Sequence, residues 1–458
     1  MSSQKKFHIA MFPWFAVGHM TPYLHLSNRL AERGHTITFL LPNKAQSLLE
    51  PLNSHPQLIT FRPLTIPHVD GLPPGAETAS DIPISSVSHL ATAMDLTRGQ
   101  VETIVAAARP DFIFYDTAYW VPEIAGLLGV KTVCYNAVCA AAIAIALVPA
   151  RKVRDDRPLT KEELAEPPPG YPSRTVVLRS HEAGALTFIS MPFGDGITFY
   201  TRTTASMKQC DAIGMRTCRE IEGALCDYLS SQFNKRVLLT GPVLPEPSKT
   251  TQLEDRWATW LGKFGTGTVL FCAFGSQHIL EKDQFQELLL GFEQTNMPFL
   301  VALKPPVGAT TIEEALPQGF EERTKGRGVV HGGWVPQPLI IGHPSVGCFV
   351  NHCGFGSMWE SLMCDCQLVM VPHLGDQILN TRLLTEELKV GVEVERDEKG
   401  WFSKDSLCKS IKSVMDKDSE LGAMLRKNHA KWKEVLGSPN FTNGYIDEFI
   451  RDLEELRR

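Results

Sequence analysis

The stretch from Phe7 to Leu41, FHIAMFPWFAVGHMTPYLHLSNRLAERGHTITFLL, decides the fold. A short apolar run, Phe7 to Phe12, ends at Pro13 and passes into a glycine-containing turn; Tyr23 to Arg33 then carries Leu24, Leu26 and Leu30 at helical spacing, and His35 to Leu41 is a second apolar run. Apolar runs without polar alternation, separated by helices, mark a parallel sheet buried on both faces. The same rhythm recurs at Asp111 to Tyr115, Ile124 to Leu128 and Thr132 to Tyr135. The N-terminal half is therefore expected to be a doubly wound α/β domain.

Working outward, Gly241 to Asp255, GPVLPEPSKTTQLED, is rich in proline and polar residues and suits an exposed linker. Beyond it the rhythm restarts, with Val269 to Phe274 as a strand, Lys282 to Gln294 as a helix and Phe299 to Leu303 as a strand. A chain of 458 residues exceeds the usual size of one hydrophobic core. Two domains are expected: 1–240, then a linker at 241–255, then 256–440, followed by a terminal helix within 441–458. Sheets of this kind bind ligands at the carboxyl ends of their strands.

A net charge of −6 without a basic cluster argues against nucleic acid as a partner. Eleven cysteines, odd in number and without framework spacing, suit a reducing compartment. The polar start Met1 to Lys6 runs directly into a strand, and the longest apolar run, Ala137 to Pro149, falls short of the ~20 residues of a spanning helix. A cytoplasmic protein without membrane insertion, acting as a monomer, is the expectation.

Chemistry concentrates between Trp334 and Gln377, WVPQPLIIGHPSVGCFVNHCGFGSMWESLMCDCQLVMVPHLGDQ. Val346 to Asn351 reads as a strand, His352 to Gly356 as a glycine-containing turn with Gly354 and Gly356, and Ser357 to Cys364 as a helix. Such a turn aims backbone N–H groups and a helix start at an anion. Glu360, one turn beyond Ser357, can accept two ribose hydroxyls. Trp334 offers a flat face to a base and Gln337 both a donor and an acceptor to its edge. Asp376 and Gln377, in the loop after the strand Gln367 to Val371, can hold vicinal hydroxyls. Ser276, at the end of the first strand of the second half, adds a hydroxyl for phosphate. Together these groups are what a nucleotide sugar requires.

Sugar transfer also needs a base for the acceptor hydroxyl, and neutral imidazole, with an ordinary pKa near 6.5, suits it. His19, after the first strand, is the candidate, with Asp116 at the end of another strand to hold its second ring nitrogen. Trp14, Phe15, Tyr119, Trp120 and Phe193 are candidate aromatic walls for the acceptor, with a place in the core as the alternative reading.

Other chemistries fit less well. His343, His352, Cys353, Cys364 and Cys366 lack paired metal-ligand spacing. Asp416-Lys417-Asp418 ends a charged helix. Ser357 misses the Gly-x-Ser-x-Gly elbow by one residue, and Trp14 to His19 lacks the dinucleotide glycines. No metal or other cofactor is expected. A non-catalytic sugar-nucleotide binder stays open as the alternative of a different class, although it would not need His19 and Asp116.

The box from Trp334 to Gln377, with Phe15-Ala16-Val17-Gly18-His19-Met20-Thr21-Pro22, Tyr115-Asp116 and Tyr119 to Glu123, resembles plant family 1 UDP-dependent glycosyltransferases over nearly the whole chain. The resemblance implies the GT-B architecture, two facing Rossmann-like domains with the donor cleft between them and the last helix (Phe441 to Leu456, with Tyr445, Phe449 and Leu453) bracing the first. It implies a UDP-sugar donor, inverting transfer, and roles for His352 and Ser357 on the diphosphate and for Asp376 and Gln377 on the sugar. Most of the family has tryptophan and asparagine where this chain has Phe355 and Gly356. That version resembles the branch-forming members, which add a sugar to one already on a flavonoid. The implied acceptor is a flavonoid or anthocyanidin 3-O-glycoside, at the 2-hydroxyl of its sugar, with an aglycone or a phenylpropanoid or terpenoid glycoside as alternatives. Glucose is the first-choice donor sugar, xylose and rhamnose close behind, and His373 is a position that could tune the choice.

Overall fold

The computed structural model describes residues 5–154, 157–194, 196–244, 252–275 and 278–458. Of the expected linker, residues 245–251 lie outside the described residues, as does Ser276. The chain forms two compact units: one from Met1–Ser173, Leu186–Pro245 and Pro439–Arg458, the other from Arg174–Ala185 and Glu246–Ser438.

In the first unit β1 (His8–Phe12), β2 (Thr36–Pro42), β3 (Ile59–Leu64), β4 (Phe112–Tyr115), β5 (Lys131–Asn136), β6 (Ala212–Met215) and β7 (Arg236–Leu239) form one sheet in the order β3-β2-β1-β4-β5-β6-β7. Every pairing is parallel. The order reverses direction between β1 and β4, which makes their carboxyl ends the switch point where such sheets take ligands. All four residues of β4 are buried, as the unbroken apolar run FIFY requires of a central strand.

The helix after β1 spans Val17–Glu32 and so begins six residues before the expected Tyr23. Its start is set by the Ala16 carbonyl, which accepts from both the His19 and the Met20 N–H groups at 2.9 Å. Pro22 lies inside the helix, where its missing N–H withholds only the bond to the Gly18 carbonyl. His19 thus stands in the first helical turn rather than in the loop that the glycine suggested.

The second unit holds β8 (Val269–Ala273), β9 (Phe299–Ala302), β10 (Gly328–His331), β11 (Val346–Asn351), β12 (Gln367–Met370) and β13 (Gly391–Glu393) in the order β10-β9-β8-β11-β12-β13. It too is parallel throughout, with its switch point between β8 and β11.

The terminal helix Pro439–Arg457 belongs to the first unit. Ile446, Phe449, Ile450 and Leu453 are fully buried in that unit's core, with Phe449 edge-on to Phe114 at 5.9 Å. Burial of side chains of this size contributes about 1.5–3 kcal/mol each. Tyr445 does not share that stripe, because its hydroxyl accepts the Arg219 N–H at 2.8 Å and donates to Glu220 at 2.7 Å. All eleven cysteines are buried and none forms a disulfide. Among the described residues no helix is long and apolar enough to cross a membrane.

Candidate active site

At the switch point of the first sheet the chain leaves β1 into the helix that carries His19, and leaves β4 directly into Asp116. His19 Nδ1 lies 2.7 Å from Asp116 Oδ2. The imidazole keeps 27% of its side-chain exposure and the carboxylate 5%, so one group meets solvent and the other is braced by protein. The second carboxylate oxygen, Oδ1, accepts the Thr117 N–H at 2.6 Å. With both oxygens engaged as acceptors, the proton sits on Nδ1 and the Nε2 lone pair is left available. Thr117 was not a candidate from sequence; its only signal is that it follows Asp116.

Around this pair, Trp14 stacks on Phe15 with their planes 9° apart and meets Phe193 at 5.3 Å. The Trp120 indole donates to Asp95 Oδ1 at 2.8 Å. Trp14, Phe15 and Trp120 are buried.

At the switch point of the second sheet, β11 ends at Asn351 and the turn 352–354 leads into the helix Phe355–Met363. The helix begins two residues earlier than expected, with Gly354 as its cap and Phe355 as its first residue. The reason is packing: Phe355 is only 5% exposed and lies edge-on to Trp359 at 5.7 Å, so it anchors the helix in the core. Cys353 adopts a left-handed backbone, φ 58°, a conformation that costs a non-glycine residue free energy. It is held there by the Asn351 side chain on its N–H at 2.7 Å and by Asn380 on its carbonyl at 2.9 Å.

His352 packs closely against two glycines. A Cβ on Gly354 would lie 2.6 Å from His352 Nε2, and one on Gly275 would lie 2.9 Å from it. Its Nδ1 is buried without a protein partner. Burial first, and the nearby His278 second, push its pKa down to about 4, with the Ala273 backbone opposing; the ring is neutral at neutral pH. His278 and His373 stack with ring centres 3.7 Å apart, and Phe274 meets His373 edge-on at 5.1 Å. Sequence reading singled out His373 but not His278.

Gln337, Ser357 and Glu360 converge, as the Gln337 amide donates to Glu360 Oε2 at 2.7 Å and to Ser357 Oγ at 3.3 Å. Trp334 is 78% exposed, unusual for the largest apolar side chain and suited to a face that a ligand covers. A Cβ on Gly356 would meet no heavy atom within 4 Å, leaving open space beside the helix start.

Asp376 and Gln377 lie in the first turn of the helix Gly375–Arg382, not in the expected loop. Gln377 causes this: its Oε1 accepts the His373 and Leu374 N–H groups at 3.0 and 3.1 Å and caps the helix. Only its amide nitrogen is left for a ligand. Behind the helix lies a buried ionic cluster that the sequence did not reveal. Arg382 Nη2 contacts both Glu182 oxygens at 2.6 and 2.7 Å, and Arg396 reaches Glu182 at 3.3 Å and the Pro372 carbonyl at 2.6 Å. Through that last bond the cluster ties down Pro372, four residues before Asp376.

The family model described as UDP-glucoronosyl and UDP-glucosyl transferase matches residues 313–428. UDP-glycosyltransferase 79B6 of Arabidopsis thaliana is 59% identical over 451 residues, covering 98% of each chain. The anthocyanidin 3-O-glucoside 2'''-O-xylosyltransferase of the same plant is also 59% identical, covering 98% of this chain and 97% of its own. Among solved structures, Arabidopsis thaliana UGT89C1 complexed with UDP-L-rhamnose superposes with a TM-score of 0.76 at 22% identity, over 98% of this chain and 99% of that one. The last likeness concerns the fold. Family and fold together define an enzyme that transfers sugar from a uridine diphosphate carrier. The chain belongs to the plant family 1 UDP-dependent glycosyltransferases.

Proposed function

We propose that the enzyme adds a sugar to the sugar hydroxyl of a flavonoid or anthocyanidin 3-O-glycoside, at its 2-position, by single displacement with inversion. The observation that carries the catalytic part is the His19–Asp116 contact of 2.7 Å, which a non-catalytic binder would not need. His19 Nε2 takes the proton of the acceptor hydroxyl as that oxygen attacks the anomeric carbon. The bond to the diphosphate breaks with its electron pair, and UDP departs as the anion. Asp116 stabilises the imidazolium.

On the donor, Trp334 stacks on uracil, Gln337 and Glu360 hold the ribose edge, and His352, Ser357, Ser276 and the N–H groups after Gly354 and Gly356 meet the diphosphate. Neutral His352 contributes there as a hydrogen-bonding group and not as a charge. Asp376 and the Gln377 amide nitrogen grip the transferred sugar. Activity is expected to survive a chelator, with the helix start taking the charge that a metal would otherwise balance.

The acceptor reading is supported by Phe355 and Gly356 and by the relative named for anthocyanidin 3-O-glucoside. The donor sugar is one of glucose, xylose and rhamnose; that relative's name sets xylose beside glucose in the assay, and the acting compartment is the cytoplasm. The test incubates purified enzyme with each UDP-sugar and either a flavonol 3-O-glucoside or its aglycone. The glucoside is expected to be used at least ~100-fold better, because a site built for polar groups leaves them unpaired when they are missing. Equal use of the aglycone, or a product bearing sugars on two phenols, would overturn the acceptor assignment.

A further inference from the structure

Arg202 is a fully buried arginine, at 0% exposure, in the helix Phe199–Gln209. Its guanidinium pairs with Asp95, with Nη1 3.0 Å from Oδ1 and Nη2 bonded to Oδ2. Replacing such a buried pair by apolar packing is often neutral or stabilising, so it is poorly explained as a source of stability alone. What the pair holds is more informative. Arg202 Nη1 also donates to the Thr117 carbonyl at 3.1 Å and Nε to the Phe193 carbonyl at 2.7 Å. Thr117 is the residue whose own N–H fixes Asp116 Oδ1 at 2.6 Å. One residue, Thr117, therefore bonds the guanidinium through its carbonyl and the dyad's carboxylate through its N–H.

The surroundings are shaped for this pair. Its guanidinium lies over the Tyr119 ring at 4.9 Å and the Phe193 ring at 5.8 Å. Asp95 Oδ1 also accepts the Trp120 N–H at 2.8 Å. Gly194 has φ 74°, and a Cβ there would lie 2.5 Å from Arg202 Nη2 and 2.9 Å from Asp95 Oδ2. Lysine could supply the charge but not the planar fork that reaches a carboxylate and two carbonyls at once.

We propose that Asp95 and Arg202 are positioning residues of the transfer reaction: they lock the turn after β4 so that Asp116 keeps His19 aligned, with Nε2 toward the acceptor hydroxyl. This rests on the reading of His19 and Asp116 as the catalytic dyad. The pair touches neither substrate nor reacting atoms, and its effect belongs in kcat.

The test measures kcat, acceptor KM and UDP affinity for Arg202→Lys, and for Asp95→Asn combined with Arg202→Gln, which leaves no unpaired charge and keeps a folded comparison if the single variant is unstable. Folding is checked by near-ultraviolet circular dichroism. In the folded variants kcat is expected to fall by about tenfold to a hundredfold, the loss attached to slight misplacement of reacting groups, while UDP affinity stays within about twofold. Turnover within about twofold of wild type in a folded variant, or a loss confined to acceptor KM, would overturn the proposal. His19→Ala is measured in parallel. An inactive His19→Ala beside a wild-type-like Arg202→Lys sinks the positioning role alone, whereas a fully active His19→Ala sinks the dyad and, with it, the role built on it.

Discussion

Asp116→Asn is the substitution for which the structure dictates an outcome atom by atom. Asp116 presents one oxygen to a backbone N–H that cannot be anything but a donor, Thr117 N at 2.6 Å, and the other to His19 Nδ1 at 2.7 Å. Asparagine has a single carbonyl oxygen, and the Thr117 amide claims it. The side-chain NH2 then faces His19 and requires Nδ1 to accept, so the ring proton moves to Nε2 and the base loses the lone pair it needs. Base catalysis contributes about 10²- to 10⁴-fold, and a wrong tautomer forfeits most of it. At about 1.36 kcal/mol per decade the barrier rises by about 3–5 kcal/mol. The assay is initial-rate kinetics of UDP release at saturating donor and acceptor, with UDP affinity by calorimetry. We expect kcat to fall at least ~100-fold with affinity within about twofold. A kcat within about threefold of wild type would refute the tautomer argument.

Trp334→Ala should leave thermal stability unchanged, since the side chain is 78% exposed, yet weaken UDP binding by about 1–3 kcal/mol, the usual worth of stacking on a base; unaltered UDP affinity by calorimetry would remove Trp334 from the site. Gly354→Ala and Gly356→Ala make a matched pair: the first drives a Cβ to within 2.6 Å of His352 Nε2, the second meets nothing within 4 Å. The first should cost about 1–3 kcal/mol of stability and weaken UDP binding while the second melts like wild type, and equal melting curves would contradict the packing. The pKa values of His278 and His352, pushed down to about 4 by burial, make stability depend on pH. The folded state keeps them neutral while the unfolded chain takes up protons below about 6.5. Their contribution is complete above about pH 6.5 and lost as pH falls toward 4; a melting temperature that stays level across that window, or a His278→Phe variant with an undiminished slope, would count against it.

Eight strands were legible because each centres on an apolar run, and β11 was predicted with both ends correct; β3, β6, β7, β10 and β13 were not read, and β3 carries Arg62 and Pro63 within its span. Helix starts were less legible: the one at Lys282 was predicted correctly, but others depend on contacts that no spacing reports. The Ala16 carbonyl draws His19 into a helix, Phe355 buries itself to start another, and Gln377 folds back onto the His373 and Leu374 amides. The candidate residues were readable individually by type, as a histidine, a carboxylate, an aromatic side chain and a helix start. Their support was not. Asp95 and Arg202 are 107 residues apart and Glu182 and Arg382 are 200 apart, so neither pair leaves a local pattern.

The Glu182 cluster has a bearing on gene shuffling between relatives. The segment Arg174–Ala185 interrupts the first unit in sequence yet belongs to the second. A hybrid enzyme spliced at the expected linker would inherit Glu182 from one parent and Arg382, Arg396 and Glu393 from the other. If the donor of the N-terminal half lacks an acid at 182, two arginines exposed by only 4% and 9% lose one of the two carboxylates they share and keep only Glu393, and a broken buried pair costs about 3–5 kcal/mol. Hybrids meant to exchange sugar preference should therefore carry residues 174–185 along with the C-terminal half, joining the parents at three seams rather than one.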